Sequence, residues 1–331
     1  MTDSCLICRI CGNKPQNKGY SVREMMLGFK EEFRYFQCSE CACLQIEDIP
    51  EDTAKYYPPQ YYSFTDLSDV KRGSGDNPLW EFLKRRRTAY LMYHRDILGR
   101  AVSLIKPLGP PFSTYLTWLK KCNAKFDSKI LDVGCGKGNL LLNLSRLGFR
   151  DLQGIDCYID RDIIYNNGPR IFKEELSYVE GKYDVIMLHH SIEHMAEQQL
   201  AFKNISRLLK EGGCALIRTP NVSSYAWESY GVNWVQIDAP RHFFIHSLRS
   251  IQILADKAGL KVKEAIYDST EFQFLGSEQY KQGISLLSDE SYCKDPKAAF
   301  TEERIDIFRS EAEKLNKAGL GDQFCVYLVK R

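Results

Sequence analysis

The sequence predicts an α/β protein: a mostly parallel sheet with helices on its faces, preceded by a cysteine-rich module and a helical segment. Three observations carry this. From residue 129 onward, apolar runs of strand length alternate with stretches of helical apolar spacing. A glycine-rich turn, VGCGKG, joins the first of those runs to the first of those helices. Six of the 12 cysteines fall within the first 43 residues, four of them as two Cys-x-x-Cys pairs. The expected division is 1–60 for the cysteine module, 61–125 for a helical linker or cap, and 126–331 for the α/β domain, with 269–320 inserted on its substrate side.

Composition narrows the function classes. A length of 331 residues at 44% hydrophobic content supports a sizeable core. Basic and acidic residues, 45 and 43, nearly cancel to +2, so no global field draws the chain to nucleic acid or an anionic membrane; only a local patch is left open. The N-terminal MTDSCLICRICG has no basic segment followed by a long apolar stretch, and no run reaches the ~20 apolar residues of a membrane span. The expectation is a cytoplasmic protein without a transmembrane segment.

Taken in order, the first element is the cysteine module. Cys8 and Cys11 form one pair and Cys38 and Cys41 the other. Two cysteines three apart on a tight knuckle turn both sulfurs inward, and two knuckles complete a tetrahedron around Zn²⁺. The module is therefore expected to be zinc-ribbon-like, with an architectural ion and with Cys5 and Cys43 as spare ligands. Residues 78–122 follow as helix, broken at Pro107 and resumed through PFSTYLTWLKK; they carry a short basic run, Lys84 to Arg87, that reads as a free, solvated helix face or as a contact for phosphate.

The α/β domain opens with strand Ile130–Val133, the glycine turn and a leucine-patterned helix. Such a turn lets a ligand approach the backbone and the N–H groups of a helix start. Gly134, Gly136 and Gly138 are spaced G-x-G-x-G, and Asp132 precedes the first of them. A carboxylate there would repel a dinucleotide pyrophosphate and attract the ammonium group of S-adenosylmethionine (SAM). The second strand, DLQGIDCY, ends at Asp156, about 20 residues beyond the loop, where an acidic side chain accepts from both ribose hydroxyls. YDVIMLHH reads as a buried strand, AEQQLAFKNISRLLK as a helix, and EGG as a turn into the strand CALIRTPN; KVKEAIYDS and QFCVYLVKR supply the last strands.

From Lys129 onward, LDVGCGKG, the later HHSIEH and the RTPN strand end resemble the class I SAM-dependent methyltransferases. The resemblance implies a Rossmann-like, seven-stranded, mostly parallel sheet and SAM as cofactor, held by Asp132, Gly134, Cys135, Gly136, Gly138, Asp156 and His189. The cysteine pairs with KYYPPQYYSF resemble the zinc-binding leader of relatives that modify sugars or surface glycans. His190, Glu193 and His194 resemble the Glu-x-x-Glu-His metal cluster of quinone O-methyltransferases, with a histidine replacing the first glutamate.

Methyl transfer to a hydroxyl needs alignment and a base. His190 and His194 at the fourth strand's end are candidates, as is His242 in NWVQIDAPRHFFIHS, where an Asp238–Arg241 pair is the alternative use of the cluster. The expected reaction is O-methylation of a sugar, glycan precursor or other small metabolite. Rivals are a quinone-like or phenolic acceptor, an RNA or protein acceptor, and a non-catalytic SAM-binding subunit. Nucleobase amines are disfavoured because LHHS stands where Asn/Asp-Pro-Pro-Tyr is usual.

Overall fold

The protein is described from a computed structural model that covers residues 6–57, 78–295 and 299–331; Cys5 and the PPQYYSF stretch lie outside the described residues. The N-terminal module is an antiparallel meander of β1 (Lys18–Arg23), β2 (Glu32–Gln37) and β3 (Leu44–Ile46). A helical cap follows: α1 (Pro78–Tyr93), α2 (Ile97–Ile105) and α3 (Phe112–Lys121). The expected break at Pro107 is present, but a second one separates α1 from α2. His94 adopts a left-handed φ of 56° there, and the Asp96 carboxylate caps α2 by accepting from Gly99 N at 2.7 Å.

The α/β domain runs β4 (Lys129–Val133), α4 (Asn139–Leu147), β5 (Asp151–Ile155), β6 (Ile163–Ile164), β7 (Arg170–Phe172), β8 (Tyr183–His189), α5 (Gln198–Leu208), β9 (Leu209–Pro220), α6 (Tyr225–Tyr230), β10 (Phe244–Ile245), α7 (Leu248–Lys257), β11 (Leu260–Tyr267), α8 (Phe272–Lys281), α9 (Glu302–Ala318) and β12 (Gln323–Lys330). The main sheet has the order β11-β12-β9-β8-β4-β5-β7-β6. β9, β8, β4, β5 and β7 are parallel, whereas β12 is antiparallel to both its neighbours. The sheet thus holds eight strands; the additional one is the two-residue β6, antiparallel to β7 at the edge. EGG lies inside β9, where the ladder jumps from Tyr183↔Leu209 to Val185↔Cys214 and Gly212 takes a φ of 74°. A bulge absorbs the turn that the sequence suggests.

Strand periodicity sorts the core. Val185 and Met187 pack with α3 and α4 on one face, while Ile186 and Leu188 face α5 and α7 on the other. The second face continues into the cysteine module through Tyr35, Leu44 and Ile46. β10 also pairs with β3, completing a four-stranded sheet β1-β2-β3-β10 whose last strand comes from the α/β domain. The module is fused to the domain rather than tethered to it. The insertion contributes α8 and α9, packed through Phe274 stacked on Phe308 at 4.9 Å.

Candidate cofactor and catalytic site

The chain passes from β4 to β5 on one side of the sheet, while β8 lies on the other, so a crevice opens at the carboxyl ends of β4 and β8. The glycine turn occupies it. A Cβ on Gly134 would stand 2.6 Å from Ser191 Cβ, and one on Gly138 would stand 2.5 Å from Ile171 Cδ1; both residues have φ above 70°. The Asp156 carboxylate accepts from Gly136 N and Tyr158 N, each at 2.8 Å, which ties the strand end to the turn. Cys135 directs its sulfur toward Gly154, whose added Cβ would lie 2.5 Å from Sγ; any part it plays toward a ligand belongs to its backbone.

A cavity of about 420 Å³ lies here, walled by Gly134, Asp156, Tyr158, Leu176, His190 and His194 among others. Beneath it Asp132 is only 3% exposed, and burial together with the nearby Asp156 charge pushes its carboxyl up to about 8. Ser191 Oγ and both ring nitrogens of His189 are buried without hydrogen-bond partners among the described residues. The orphaned Ser191 hydroxyl on the cavity wall, a buried acid and a glycine cradle fit the methionine end of SAM, whereas His189, expected to help hold it, is not among the residues that line the cavity. His189 lies against Trp118, ring centroids 4.5 Å apart, and burial lowers its imidazole to about 3.

The three candidate bases occupy different situations. His190, at a left-handed φ of 50°, donates from Nδ1 to Glu193 Oε1 at 3.2 Å and accepts at Nε2 from Arg218 at 2.9 Å. Arg218 is itself anchored to Asp268 at 2.6 Å, so both nitrogens of His190 are committed. His194 closes a short 3₁₀ turn, Ile192–His194, and donates from Nδ1 to the Arg241 carbonyl at 2.8 Å, which leaves Nε2 as the basic nitrogen. Burial and neighbouring His242 lower its imidazole to about 4, so it is neutral at pH 7. His242 is buried behind it, ring centroids 4.8 Å apart, and donates from Nδ1 to the Gln236 carbonyl at 2.7 Å.

Glu193 sits among all three. Burial opposes its charge, but the His190 hydrogen bond and the surrounding imidazoles outweigh that and hold it near 2; Thr219 donates to its other oxygen at 2.9 Å. Ligand atoms of Glu193, His194 and His242 lie within 4.8 Å of one another. The metal-type group in the structure therefore contains His242, not His190, because Arg218 occupies the His190 ring. The Asp238–Arg241 pair forms as well: Arg241 is fully buried, with Nε 2.9 Å from Asp238 and NH2 3.8 Å from Glu24 of the cysteine module.

The four-cysteine arrangement is also assembled. Cys8 and Cys41 sulfurs are 3.5 Å apart, as are those of Cys11 and Cys38, and all four lie within 4.8 Å. A tetrahedral zinc–thiolate site with bonds of ~2.3 Å needs sulfurs roughly 3.8 Å apart, so this set fits. Gln45 Nε2 donates to Cys8 Sγ at 2.9 Å, as an outer partner of a thiolate does. Cys43 stays outside the set, 4.0 Å from His246 Nδ1.

Sequence reading missed Ser191, Tyr57 and Tyr158. Tyr57 stacks on Tyr158 with ring centroids 5.5 Å apart and places its hydroxyl 3.2 Å from His194 Nδ1. No local signal marks Tyr57, which is 137 residues from His194 in sequence. Tyr158, two residues past Asp156, was within reach of the motif.

A mostly parallel sheet ending in an antiparallel strand, with a glycine cradle and an acid closing the second strand, defines a class I SAM-dependent methyltransferase fold. The chain belongs to that family: the family described as a methyltransferase domain matches residues 100–265, half of the chain. It is similar to phosphoethanolamine N-methyltransferase 1 of Triticum aestivum, 24% identical over 234 residues, covering 64% of this chain and 43% of that protein. It is also similar to the ubiquinone biosynthesis O-methyltransferase of Acinetobacter baylyi, 28% identical over 181 residues, covering 49% of this chain and 76% of that protein. The chain spans just under half the length of several curated relatives, 43% and 49%. Among solved structures, a SAM-dependent methyltransferase from Clostridium acetobutylicum aligns with a TM-score of 0.40 at 13% identity, covering 69% of this chain and 95% of that one.

Proposed function

We propose that this chain transfers a methyl group from SAM to a hydroxyl of a sugar, glycan precursor or other small metabolite, and that Cys8, Cys11, Cys38 and Cys41 hold a structural zinc ion. SAM, when bound, supplies an electrophilic methyl on a sulfonium and departs as S-adenosylhomocysteine. Asp132 holds the ammonium group, Asp156 the ribose hydroxyls, and the turn at Gly134, Gly136 and Gly138 admits the ligand to the backbone. The observation that carries the hydroxyl reading is His194: a neutral imidazole on the cavity wall, with its Nδ1 proton committed to a carbonyl and Nε2 left to take the acceptor's proton. The Arg241 carbonyl and the Tyr57 hydroxyl orient its ring. The sugar preference is supported by the likeness of the cysteine leader alone.

The test is S-adenosylhomocysteine release from zinc-loaded protein offered nucleotide sugars and glycosides beside catechols and hydroquinones. Turnover on a sugar, lost in His194→Gln with SAM affinity retained, supports the proposal. Turnover only on phenols moves the acceptor to the quinone-like class, which the O-methyltransferase relatives favour. Silence on every acceptor despite micromolar SAM affinity would leave a SAM-binding subunit.

One observation favours a second use of the histidine cluster. His242 Nε2 faces Asp238 Oδ2 at 3.7 Å and Glu193 Oε1 at 4.0 Å, and an imidazole nitrogen grouped with carboxylates and His194 is a donor set that suits a divalent ion. Two metal equivalents per chain by mass spectrometry, falling to one in His242→Gln, would establish the ion; one equivalent in both would exclude it.

A further inference from the structure

The helical cap presents an apolar surface that the catalytic reading does not use. In α2, Gly99 and Val102 face inward, and a Cβ on Gly99 would lie 2.0 Å from the Arg86 carbonyl oxygen, so the helix is pressed onto α1 along that side. The outer side is aliphatic. Ile97, Leu104 and Ile105 are 89%, 78% and 85% exposed, and Ala101 lies between them. These positions follow i, i+4, i+7 and i+8, one continuous stripe of the helix. An ordinary surface helix buries such a stripe; here it points to solvent.

Charge says what the stripe suits. Between positions 78 and 106 the sequence has seven Lys and Arg against two acidic residues, whereas the whole chain sums to only +2. Of those two acids, Asp96 is neutralised by Arg86 at 2.8 Å. Arg95 and Arg100 are exposed within a turn of the stripe, and Arg85 is exposed on α1. Arg87 is not part of this surface: it is buried and donates to the Lys106 carbonyl at 2.8 Å, which corrects the sequence reading of a free four-residue run.

We infer that this face docks the protein on an anionic bilayer surface, with α2 lying in the interface, its aliphatic stripe among the acyl chains and its arginines against the lipid phosphates. A second copy packed on the same face would bring two cationic rims together, and a nucleic acid backbone has no use for an aliphatic stripe. No described helix is long and apolar enough to cross a membrane, so the attachment is peripheral. The inference is independent of the acceptor and of methyl transfer.

The experiment is flotation of the full-length, zinc-loaded chain with vesicles of phosphatidylcholine alone or with about a third phosphatidylglycerol. Binding is expected only to the anionic vesicles, weakening as salt rises from 50 to 500 mM on screening grounds. Leu104→Asp with Ile105→Asp should reduce the partition coefficient at least about tenfold, and Arg100→Glu about threefold, by removing the apolar and the charge contribution in turn. Both alter exposed side chains, and an unchanged melting curve and SAM affinity will verify the fold. As a measure free of that substitution, an environment-sensitive dye at Ile105→Cys should shift to the blue on anionic vesicles. Absence of wild-type binding, or binding that the double substitution leaves intact, would overturn the inference. So would a wild-type dimer that ignores vesicles and is dissociated by the double substitution, which would give the stripe to a second copy.

Discussion

The two walls of the cavity are built on different principles. The wall proposed for the cofactor is made by main chain at strand ends: the β4 turn, the Asp156 carboxylate on two backbone N–H groups, and glycines whose missing side chains let Ser191 and Ile171 pack against the turn. The opposite wall is made by side chains held by distant segments. Tyr57 and the 190–194 turn line it, the 238–242 loop supports His194 from behind, and the cysteine module braces that side: Tyr35 donates to the His242 carbonyl at 2.9 Å, and Ser247 Oγ donates to the Cys41 carbonyl. A wall of main chain is fixed by its own strands, whereas a wall of side chains is only as firm as what holds its segments together. Cofactor binding and acceptor chemistry should therefore fail separately.

The largest separation of the two walls is expected from His194→Gln, which should lower turnover by about 10²- to 10⁴-fold while SAM affinity stays within about threefold, measured by S-adenosylhomocysteine release and calorimetry. Cys38→Ser attacks the brace instead. It should lower the melting temperature by roughly 10 °C or more and reduce turnover, yet leave the SAM dissociation constant within about threefold; equal losses in both would show that the walls are one unit. Asp156→Ala should weaken SAM about tenfold, near 1.4 kcal/mol, without changing the melting curve of the cysteine module.

Asp132 refines the picture through pH. Its folded pKa of about 8 lies above the ordinary value of 3.8, so the apo protein keeps a proton that the unfolded chain has lost. The stability from holding that proton is fully present below about pH 4 and is lost as pH rises to about 8. SAM binding below pH 7 should thus release close to one proton, read from the dependence of the calorimetric heat on buffer ionisation. Asp132→Asn should abolish the release, weaken SAM and raise the apo melting temperature at pH 8. The smallest effect is expected from Tyr35→Phe: loss of one buried hydrogen bond, about 1 kcal/mol in stability, with a modest fall in turnover and none in SAM affinity.

Much of the cofactor wall was legible because its signals are local. Asp132, the three glycines and Asp156 lie within one strand–turn–helix–strand unit, and the two Cys-x-x-Cys knuckles each bend a few residues. What sequence reading placed less well was anything set by tertiary contact: His190 as a metal-type ligand, the Lys84 to Arg87 run as a free basic face, and the unbroken helix through His94. In each case a partner remote in sequence decided the outcome, Arg218 for His190 and the Lys106 carbonyl for Arg87, while Arg86 at 2.8 Å fixed Asp96 at the start of α2.

By itself, then, the sequence determined the α/β class, the glycine turn, the acids flanking it and the cysteine quartet, since each follows from periodicity or from spacing within a few residues. Contacts between distant segments decided which partners each imidazole meets, that the module's sheet takes its last strand from the α/β domain, and that α2 turns an aliphatic stripe outward. Those outcomes depend on contacts between segments as many as 207 residues apart, and no local pattern encodes which of several equally apolar or equally basic groups will find a partner.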